Sequence, residues 1–238
     1  MRFTYARHTR DFFGERPYPV DLERVEARDG ASEALELLRA QLPAPPARIL
    51  DLGCGHGRHA GPLAQCGYQL TALDISPLCV RTAKRRFPAL DVYCADMTRL
   101  PFPDASFDAA YSLYSSMGMQ GAPAGAALAE AARVTRVGAT LLVDVAGPPP
   151  LITAYIEPVP RGCALVLRWR TPRHVHQRNL VLARGALGLY RLRYERLAVT
   201  LPRLMERTGW RITHMWGGFH GEPLRPNSAR VILRGERT

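Results

Sequence analysis

The stretch that most limits how this chain can fold is Ile49-Leu50-Asp51-Leu52-Gly53-Cys54-Gly55-His56-Gly57-Arg58. Its apolar start, bounded by prolines before it and glycines after it, is typical of a buried strand. Glycines at 53, 55 and 57 let the backbone turn tightly and approach a ligand with no Cβ in the way. The helix expected next offers free N–H groups to an anion. The pattern therefore predicts a strand, a ligand-binding turn and a helix.

The spacing of these glycines differs from the dinucleotide-binding fingerprint G-x-G-x-x-G. That fingerprint would place its last glycine at position 58, which is Arg58. Asp74 ends the next predicted strand, 17 residues after Gly57, about where this kind of fold places a ribose-binding carboxylate. The turn thus departs from that fingerprint but keeps an acidic residue where a ribose is bound.

Strands and helices are predicted to alternate around this turn. A helix at 31–42 precedes strand 48–52, and helix 58–66, strand 68–73, helix 76–87, strands 91–95 and 107–111, helix 124–134 and strand 140–145 follow. Such a series favours a parallel sheet with helices on both faces. With two further strands at 210–216 and 229–234, the predicted fold is α/β, a Rossmann-like, doubly wound, seven-stranded and mostly parallel sheet.

The pattern changes after Gly147 and three prolines. Segments 163–169, 175–183 and 187–197 are strand-like with no helical pattern between them, which predicts an inserted antiparallel β-meander. A helix is predicted at 200–208. The expected organisation is a cover segment at 1–30, a cofactor-binding core at 31–150, a substrate cap at 151–199 and, at 200–238, a helix with the last two core strands.

Four motifs in order resemble the class I S-adenosylmethionine-dependent methyltransferases. They are DLGCGHG at 51–57, LDIS at 73–76, CADMTRLPFPDASFD at 94–108 and RVTRVGATLLVDV at 133–145. The resemblance implies S-adenosylmethionine as cofactor, with the methionine portion lined by Asp51, Gly53 and Gly55, and with Cys54 and Arg58 in the same turn. It also implies that Asp74 holds the ribose hydroxyls and Ile75 packs on the adenine. Asp96 is then expected to accept from the adenine amino group beside Met97, and Ser112 to close the cofactor floor.

A weaker resemblance points to small-molecule N- and O-methyltransferases. It rests on the inserted meander, on Tyr114-Ser115-Ser116-Met117-Gly118 and on the loop 217–223. A general base is needed only if the acceptor arrives protonated. The candidates are His220, His174 and His176, with Tyr114 as a hydroxyl that orients the substrate. His174 and His176 alternate with Val175 on a predicted strand and so share one face, which solvent could equally cover.

Charge is distributed unevenly along the chain. Residues 1–150 hold 16 Lys and Arg against 16 Asp and Glu, whereas residues 151–238 hold 16 Arg against 5 Glu, so the whole net charge of +11 falls in the second part. This favours a small anionic substrate, or else reflects a solvated arginine surface. Arg168, Arg170 and Arg173 could clamp a carboxylate or phosphate, or could simply cover the Trp169 ring.

Two other functions remain open. An RNA methyltransferase would use the basic part and stack bases on four aromatic residues, Tyr155, Trp169, Tyr190 and Tyr194. Against it, the chain shows no Asn-Pro-Pro-Tyr motif, no Pro-Cys nucleophile and no appended RNA-binding module. A non-catalytic scaffold would bind the cofactor without turnover.

Cysteine spacing and hydropathy exclude several classes. The five cysteines include no C-x-x-C pair, so neither a disulfide framework nor a metal site is predicted. Apolar runs fall well short of the ~20 residues of a membrane span. We expect a cytoplasmic protein with neither anchor nor membrane partner, and the sequence leaves its oligomeric state open.

Overall fold

The structure, a computed structural model, contains two β-sheets and five helices in the part of the chain that it describes. The described residues are 5–6, 31–114, 117, 123–147, 151–159, 162–171, 174–183, 186–195 and 197–238. The predicted cover segment thus lies outside the described residues except for strand β1 (Tyr5–Ala6).

Seven strands form the larger sheet. They are β2 (Arg48–Leu52), β3 (Gln69–Asp74), β4 (Asp91–Cys94), β5 (Phe107–Ser112), β6 (Thr135–Ala146), β11 (Trp210–Trp216) and β12 (Arg230–Arg237). Their order is β11-β12-β6-β5-β2-β3-β4. The five strands from β6 to β4 are parallel, and β12 runs antiparallel to both β6 and β11. This confirms the predicted α/β, Rossmann-like sheet of seven mostly parallel strands.

Helices cover both faces of this sheet. They are α1 (Ala31–Gln41), α2 (Ala60–Gln65), α3 (Pro77–Arg86), α4 (Ala124–Val134) and α5 (Leu197–Arg207). Alternate residues of β2 point to opposite faces, so that Ile49 packs in one buried cluster with α1 to α3 and Leu50 packs in the other with α4 and α5. The apolar run at 49–52 is continuous because both of its faces are buried.

Local signals explain where α3 begins. The Ser76 hydroxyl accepts a hydrogen bond from the Cys79 backbone N–H at 3.3 Å, and Pro77 occupies the first helical position. A serine N-cap and a proline at this position both favour helix initiation. The carboxyl end of β3 is thereby joined to α3 through a fixed turn, which holds Asp74 at the edge of the sheet.

The second sheet is largely antiparallel, as predicted for the inserted meander. Its strands are β1, β7 (Ile152–Val159), β8 (Gly162–Arg170), β9 (His174–Ala183) and β10 (Ala186–Glu195), in the order β1-β10-β9-β8-β7. The sequence prediction missed β7, because Pro158 interrupts its pattern. Since β7 pairs only with β8 in the described sheet, it is an edge strand, where proline is tolerated.

Two further boundaries differ from the sequence prediction. Helix α5 begins at Leu197 rather than at residue 200. Proline is typical of the first turn of a helix, but Pro202 lies further inside this one. Strand β6 begins at Thr135 rather than at residue 140, directly after α4, and continues through Gly138 with φ of 80°. The predicted limit between the cap and the C-terminal segment therefore falls within α5. Among the described residues, no helix is long and apolar enough to span a membrane.

Candidate functional site

The glycine turn lies at the carboxyl edge of the larger sheet, between β2 and α2. Gly53, Gly55 and Gly57 have φ values of 84°, 56° and 83°, in the left-handed region that favours glycine. The backbone N–H groups of Gly53 and Cys54 both donate to the Leu73 carbonyl at 2.9 Å. The turn is thus fastened to the end of β3, the strand that carries Asp74.

The glycines of this region have different surroundings. A Cβ added at Gly55 would meet no atom within 4 Å, whereas one at Gly57 would lie 3.1 Å from Phe87 Cδ2. A Cβ at Gly61, in the first turn of α2, would collide with the same Phe87 ring. Gly57 and Gly61 therefore allow α2 to pack against the end of α3, while Gly55 faces open space in which a ligand can approach the backbone.

Asp74 braces the glycine turn from the end of β3. Its Oδ2 accepts a hydrogen bond from the Gly55 N–H at 2.9 Å, and its Oδ1 accepts one from the Ser76 N–H at 2.8 Å. Burial raises the pKa of Asp74, and these two bonds oppose that effect. Because each carboxylate oxygen has further acceptor capacity, Asp74 can also receive hydroxyl groups of a ligand.

Asp51 is a second carboxyl group at this edge and is almost completely buried. The Tyr111 hydroxyl donates to its Oδ2 at 2.8 Å. Burial raises the pKa of Asp51 to about 7, against the lowering effect of the Tyr111 hydrogen bond. Burial also raises the pKa of the Cys54 thiol well above its usual range, so this cysteine is an apolar wall rather than a nucleophile.

The residues expected beside a base lie at the ends of the neighbouring strands. Ile75 is half-buried in the turn after β3. Asp96 follows β4, and its Oδ1 accepts from both the N–H and the hydroxyl of Thr98 at 2.8 Å, which fixes its carboxylate. Met97 is partly buried against the core. All three lie on the carboxyl side of β3 and β4, where the resemblance predicts an adenine.

Ser112 ends β5 and is fully buried. Its Oγ makes no hydrogen bond within the described part of the chain. A buried hydroxyl without a partner is costly to a fold unless a ligand or solvent satisfies it. Ser112 is therefore a polar group of this edge that a bound ligand could satisfy.

Aromatic and cationic side chains gather around Tyr114, two residues after β5. The Arg58 and Arg230 guanidinium carbons lie 3.8 and 4.4 Å from the centroid of its ring, and the His59 ring stacks on it at 5.3 Å. Phe219 packs at 5.5 Å. We call Arg58, His59, Tyr114, Asp144, Phe219 and Arg230 the Tyr114 cluster. Tyr114 has a φ of 59°, which is rare outside glycine and is found most often at functional sites.

Asp144, near the end of β6, is the fully buried member of the Tyr114 cluster. Its Oδ2 accepts hydrogen bonds from the Tyr114 N–H at 2.8 Å and from Arg230 Nη1 at 2.5 Å. Its Oδ1 is buried and has no hydrogen-bond partner among the described residues. Burial raises the pKa of Asp144, although the Arg230 charge opposes this.

His59 contributes a second buried polar atom, since its Nε2 also finds no partner in the described chain. Burial, followed by the charge of Arg58, lowers its pKa to about 3. The ring is therefore neutral at physiological pH, and it can present a lone pair or an N–H group without a charge.

The predicted base candidates lie in different places. The loop that carries His220 does reach the cluster, but through Phe219; His220 itself is exposed, with Nε2 3.4 Å from Glu33 Oε1 of α1. His174 and His176 lie in the second sheet with ring centroids 6.1 Å apart, and His176 stacks on Trp169. Of the four side chains considered for chemistry at the acceptor, Tyr114 is the one that lies beside the glycine turn.

The predicted arginine clamp is partly described. Arg168 donates through Nε and Nη2 to Gln177 Oε1 at 2.9 and 2.7 Å, and through Nη2 to the Tyr155 hydroxyl at 3.1 Å. The arginine over the Trp169 ring is Arg178, at 5.3 Å. Arg170 is half-buried, and Arg173 lies outside the described residues.

Sequence reasoning missed Asp144, Arg230, Phe219 and His59 as members of this cluster. Asp144 is a lone acidic residue in the apolar run 140–146, and that was the one available signal. No spacing relates Arg230 to Tyr114, because strand pairing across β6 and β12 brings them together. No group of three or more His, Cys, Asp or Glu side chains in the described ranges is arranged to hold a metal ion.

Comparison with known proteins gives a family match for the part of the chain that forms this edge. Residues 49–138 match a family described as "Methyltransferase domain". A demethylmenaquinone methyltransferase from Beutenbergia cavernae is 42% identical over 107 residues, which are 44% of this chain and 43% of that protein. The chain thus spans less than half of the length of this relative.

Solved structures share the fold over a larger part of the chain. The CcbJ methyltransferase from Streptomyces caelestis aligns with a TM-score of 0.73 and 18% identity, over 87% of this chain and 89% of its own. The sugar N-methyltransferase KedS8 from Streptoalloteichus aligns with a TM-score of 0.66 and 20% identity, over 94% and 95%. At these identities the likeness concerns the fold, and it extends over nearly the whole chain.

Proposed function

Because the chain belongs to the class I S-adenosylmethionine-dependent methyltransferases, we propose that it transfers a methyl group from that cofactor to a nitrogen or oxygen atom of a small molecule. The relatives named above support the small-molecule class, since their names refer to a quinone and a sugar. Those two acceptors differ in chemistry, so the chemical class of this chain's acceptor must be inferred from the residues of its own site.

The carboxyl edge of the sheet suits the proposed cofactor. Asp74 can accept two hydroxyl groups of a ribose, and the open space at Gly55 lets a ligand lie against the backbone. Ser112 has a buried hydroxyl that requires a polar partner. Asp51 is positioned beside the turn to attract the positive charge of an amino-acid portion.

When bound, S-adenosylmethionine supplies a methyl group on a positively charged sulfur. The residues of the chain must then hold the acceptor atom in line with that methyl group and keep water out, because alignment supplies most of the acceleration in such a transfer. The Tyr114 cluster is suited to both tasks, since its stacked rings cover the end of the sheet next to the glycine turn.

The observation that carries this proposal is the free Oδ1 of Asp144 beneath Tyr114. A carboxylate oxygen with no partner can accept the N–H or O–H hydrogen of an acceptor molecule and orient its lone pair. Asp144 can then receive the proton that the acceptor loses, a role favoured by its raised pKa. Tyr114, in its strained backbone conformation, is the residue that must move to admit the acceptor.

The charges of the cluster bear on the substrate. Arg230 is paired with Asp144, whereas Arg58 adds a second guanidinium against the Tyr114 ring. Together with the basic second part of the chain, this arrangement favours an acceptor that carries a carboxylate or phosphate group.

The first experiment is a calorimetric titration of the purified protein with S-adenosylmethionine and, separately, with NAD. We expect binding of the methyl donor alone. A screen with isotope-labelled methyl donor then follows, starting with acidic metabolites and continuing with bulk RNA. Labelling of RNA in place of metabolites would favour the RNA methyltransferase hypothesis, and cofactor binding with no labelled product would favour the scaffold hypothesis.

Asp144→Asn tests the acceptor role separately from cofactor binding. Asparagine keeps the shape and one acceptor oxygen but cannot take a proton, so we expect the affinity for S-adenosylmethionine to stay within about twofold while turnover falls on the order of a hundredfold or more. Asp104→Asn, on the exposed surface, is the matched control and should leave both unchanged. Full turnover by Asp144→Asn would remove Asp144 from the mechanism.

A further inference from the structure

In the second sheet, polar side chains of strand β9 are buried and its leucines are exposed, which is the reverse of the usual arrangement. In most one-sided antiparallel sheets the apolar face is buried and the polar face is exposed. Here Gln177 and Asn179 of β9 are buried, whereas Leu180 and Leu182 of the same strand are 41% and 49% exposed. On this strand, burial therefore does not follow side-chain polarity.

The buried face is satisfied by its own hydrogen bonds. Arg168 donates twice to Gln177 Oε1, and Gln177 Nε2 donates to Asn179 Oδ1 at 2.8 Å. Val166 and Ala164 on the same face are completely buried. This face is covered and internally paired, so the unexplained surface is the opposite one.

The exposed face is a continuous apolar surface across three strands. Strand register places Leu165 directly opposite Leu180 on one side and Ile156 on the other, and it places Leu182 opposite Cys163. Side chains directly opposite one another share a face. We call this the leucine face; its large apolar members, 40% to 71% exposed, are Ile152, Ile156, Leu165, Leu167, Leu180 and Leu182.

The size of the leucine face is unusual for a surface in contact with water. Six large aliphatic side chains at these exposures present on the order of 500 Å² of apolar surface, which is at the upper end of what monomers expose. For comparison, each partner contributes about 800 Å² to a standard interface, so these six side chains would supply more than half of that area. A surface of this kind is consistent with a protein contact.

Charge does not prevent such a contact. Arg178 is a charged residue of the leucine face, next to positions 191 and 193 of β10, which are also arginine, and its guanidinium lies over the Trp169 ring, 5.3 Å from the centroid. The stem of such a stacked arginine covers apolar surface. These charged positions lie toward the Trp169 end of β9 and β10, so the end that holds Ile156, Leu165 and Leu182 can be buried without enclosing them.

We propose that the leucine face is the interface of a homodimer, in which two copies of the chain pack sheet against sheet about a twofold axis. A flat apolar face is complementary to itself, so an isologous contact requires no other chain. Two antiparallel sheets that pack in this way lie about 10 Å apart with interdigitating side chains, as in a β-sandwich. The proposal does not depend on the proposed function, because it uses no residue of the cofactor site.

Sedimentation velocity over a range of protein concentrations tests the proposal. We expect a species of about twice the 26.4 kDa of the chain. Leu165 and Leu180 lie opposite each other in the leucine face. Leu165→Glu or Leu180→Glu would place a charge there, and each variant should raise the dimer dissociation constant at least tenfold. Val199→Glu on α5 and Val137→Glu in β6 alter exposed apolar residues elsewhere and should leave it unchanged.

A second measurement requires no change to the leucine face. Cys163 is an exposed free thiol on that face, whereas Cys66 and Cys94 are exposed thiols on the larger sheet and its helices. If the dimer forms, alkylation of Cys163 slows as the protein concentration rises, while alkylation of Cys66 and Cys94 does not. Cys163→Ser identifies the protected thiol by mass spectrometry.

Three results would overturn the proposal. One is a wild-type protein that remains monomeric at high concentration with a Cys163 that reacts at a constant rate. Another is a dimer that dissociates equally in the Val199→Glu and Val137→Glu controls. The third is a monomer that sediments with phosphatidylcholine vesicles and loses this property in Leu180→Glu, which would make the leucine face a lipid-binding surface.

Discussion

The two sheets of this protein distribute polar groups in opposite ways. The larger sheet is largely apolar on both faces and places the buried polar side chains of Asp51, Ser112 and Asp144 toward the carboxyl ends of its strands. The second sheet buries the polar side chains of Gln177 and Asn179 on one face and exposes leucines on the other. The difference indicates that the larger sheet works through its edge, as parallel sheets do, and that the second sheet works through its faces.

The chemistry of the two regions follows from this difference. At the edge of parallel strands, successive side chains converge from β2, β3, β5 and β6 on one small volume, which can surround a ligand. On a face, side chains spread over a plane and can meet only another surface. A substitution in one of these regions should leave the other region unaffected.

The largest effect is expected for Asp74→Ala. The variant removes the proposed acceptor for two ribose hydroxyls, which is worth about 3 to 6 kcal/mol, so the dissociation constant for S-adenosylmethionine should rise at least about a hundredfold in calorimetry. Asp91→Ala, at the amino edge of the same sheet, is the control and should bind normally. Normal affinity in Asp74→Ala would mean that the ribose is not bound at this edge.

A large effect of pH is expected from Asp51. Its pKa of about 7 lies above the ordinary value of 3.8, so the folded protein holds a proton there that the unfolded chain has lost. The free energy of unfolding contributed by Asp51 is therefore fully present below pH 4 and falls as pH rises to 7, by up to about 4 kcal/mol. Urea titrations without cofactor should show Asp51→Asn equal to wild type near pH 4 and more stable at pH 8.

Asp108, at the amino end of β5, provides the contrasting control. Its burial is outweighed by the hydrogen bonds and charge of Arg48 and by Arg136, so its pKa is lowered. A lowered pKa contributes stability above the ordinary value and loses it as pH falls. Asp108→Asn should therefore reduce stability at pH 8, the opposite sign to Asp51→Asn, and the same sign in both variants would contradict the assigned environments.

The sequence was most informative where local chemistry determines structure. The glycines at 53, 55 and 57 predicted a turn that only such residues allow, and Ser76 with Pro77 predicted the start of α3. The apolar runs of β2, β5 and β6 predicted the parallel sheet, because strands buried on both faces have no polar alternation. These signals all arise within a few residues of one another.

The sequence was least informative where distant segments meet. The Tyr114 cluster joins residues from a turn, two loops and two strands, up to 172 positions apart between Arg58 and Arg230. Pairing of β12 with β6 brings Arg230 to the cluster. The reversed second sheet was also not foreseen, because alternation of polar and apolar residues indicates a strand without saying which face is buried.

A smaller effect is expected from the glycines, and it separates packing from binding within one turn. Gly61→Ala would force a methyl group into the Phe87 ring, so we expect a loss of about 1 to 3 kcal/mol of stability with little change in cofactor affinity. Gly55→Ala meets no atom but must hold a φ of 56°, a strain of about 1 to 2 kcal/mol.

The decisive measurement is the ratio of the two effects for each glycine variant. If Gly55 faces the ligand, Gly55→Ala loses more cofactor affinity than thermal stability, whereas Gly61→Ala shows the reverse. Calorimetry with S-adenosylmethionine and thermal unfolding without it give both quantities. Equal losses in both variants would mean that the glycine turn has only a structural role.

The smallest effect compares two neighbouring residues on opposite faces of β9. Asn179→Ala removes the acceptor of Gln177 Nε2 and leaves a buried amide unpaired, which should cost about 1 to 3 kcal/mol of stability. Leu180→Ala shortens an exposed side chain, so it should change the stability of the monomer little while weakening the dimer. Neither change reaches the edge of the larger sheet, so both variants should bind S-adenosylmethionine as the wild type does. Because the two positions are adjacent in sequence, a difference between the variants in urea unfolding and sedimentation velocity would be due to the face of the sheet alone. The same result for both variants would mean that the second sheet is not divided into two such faces.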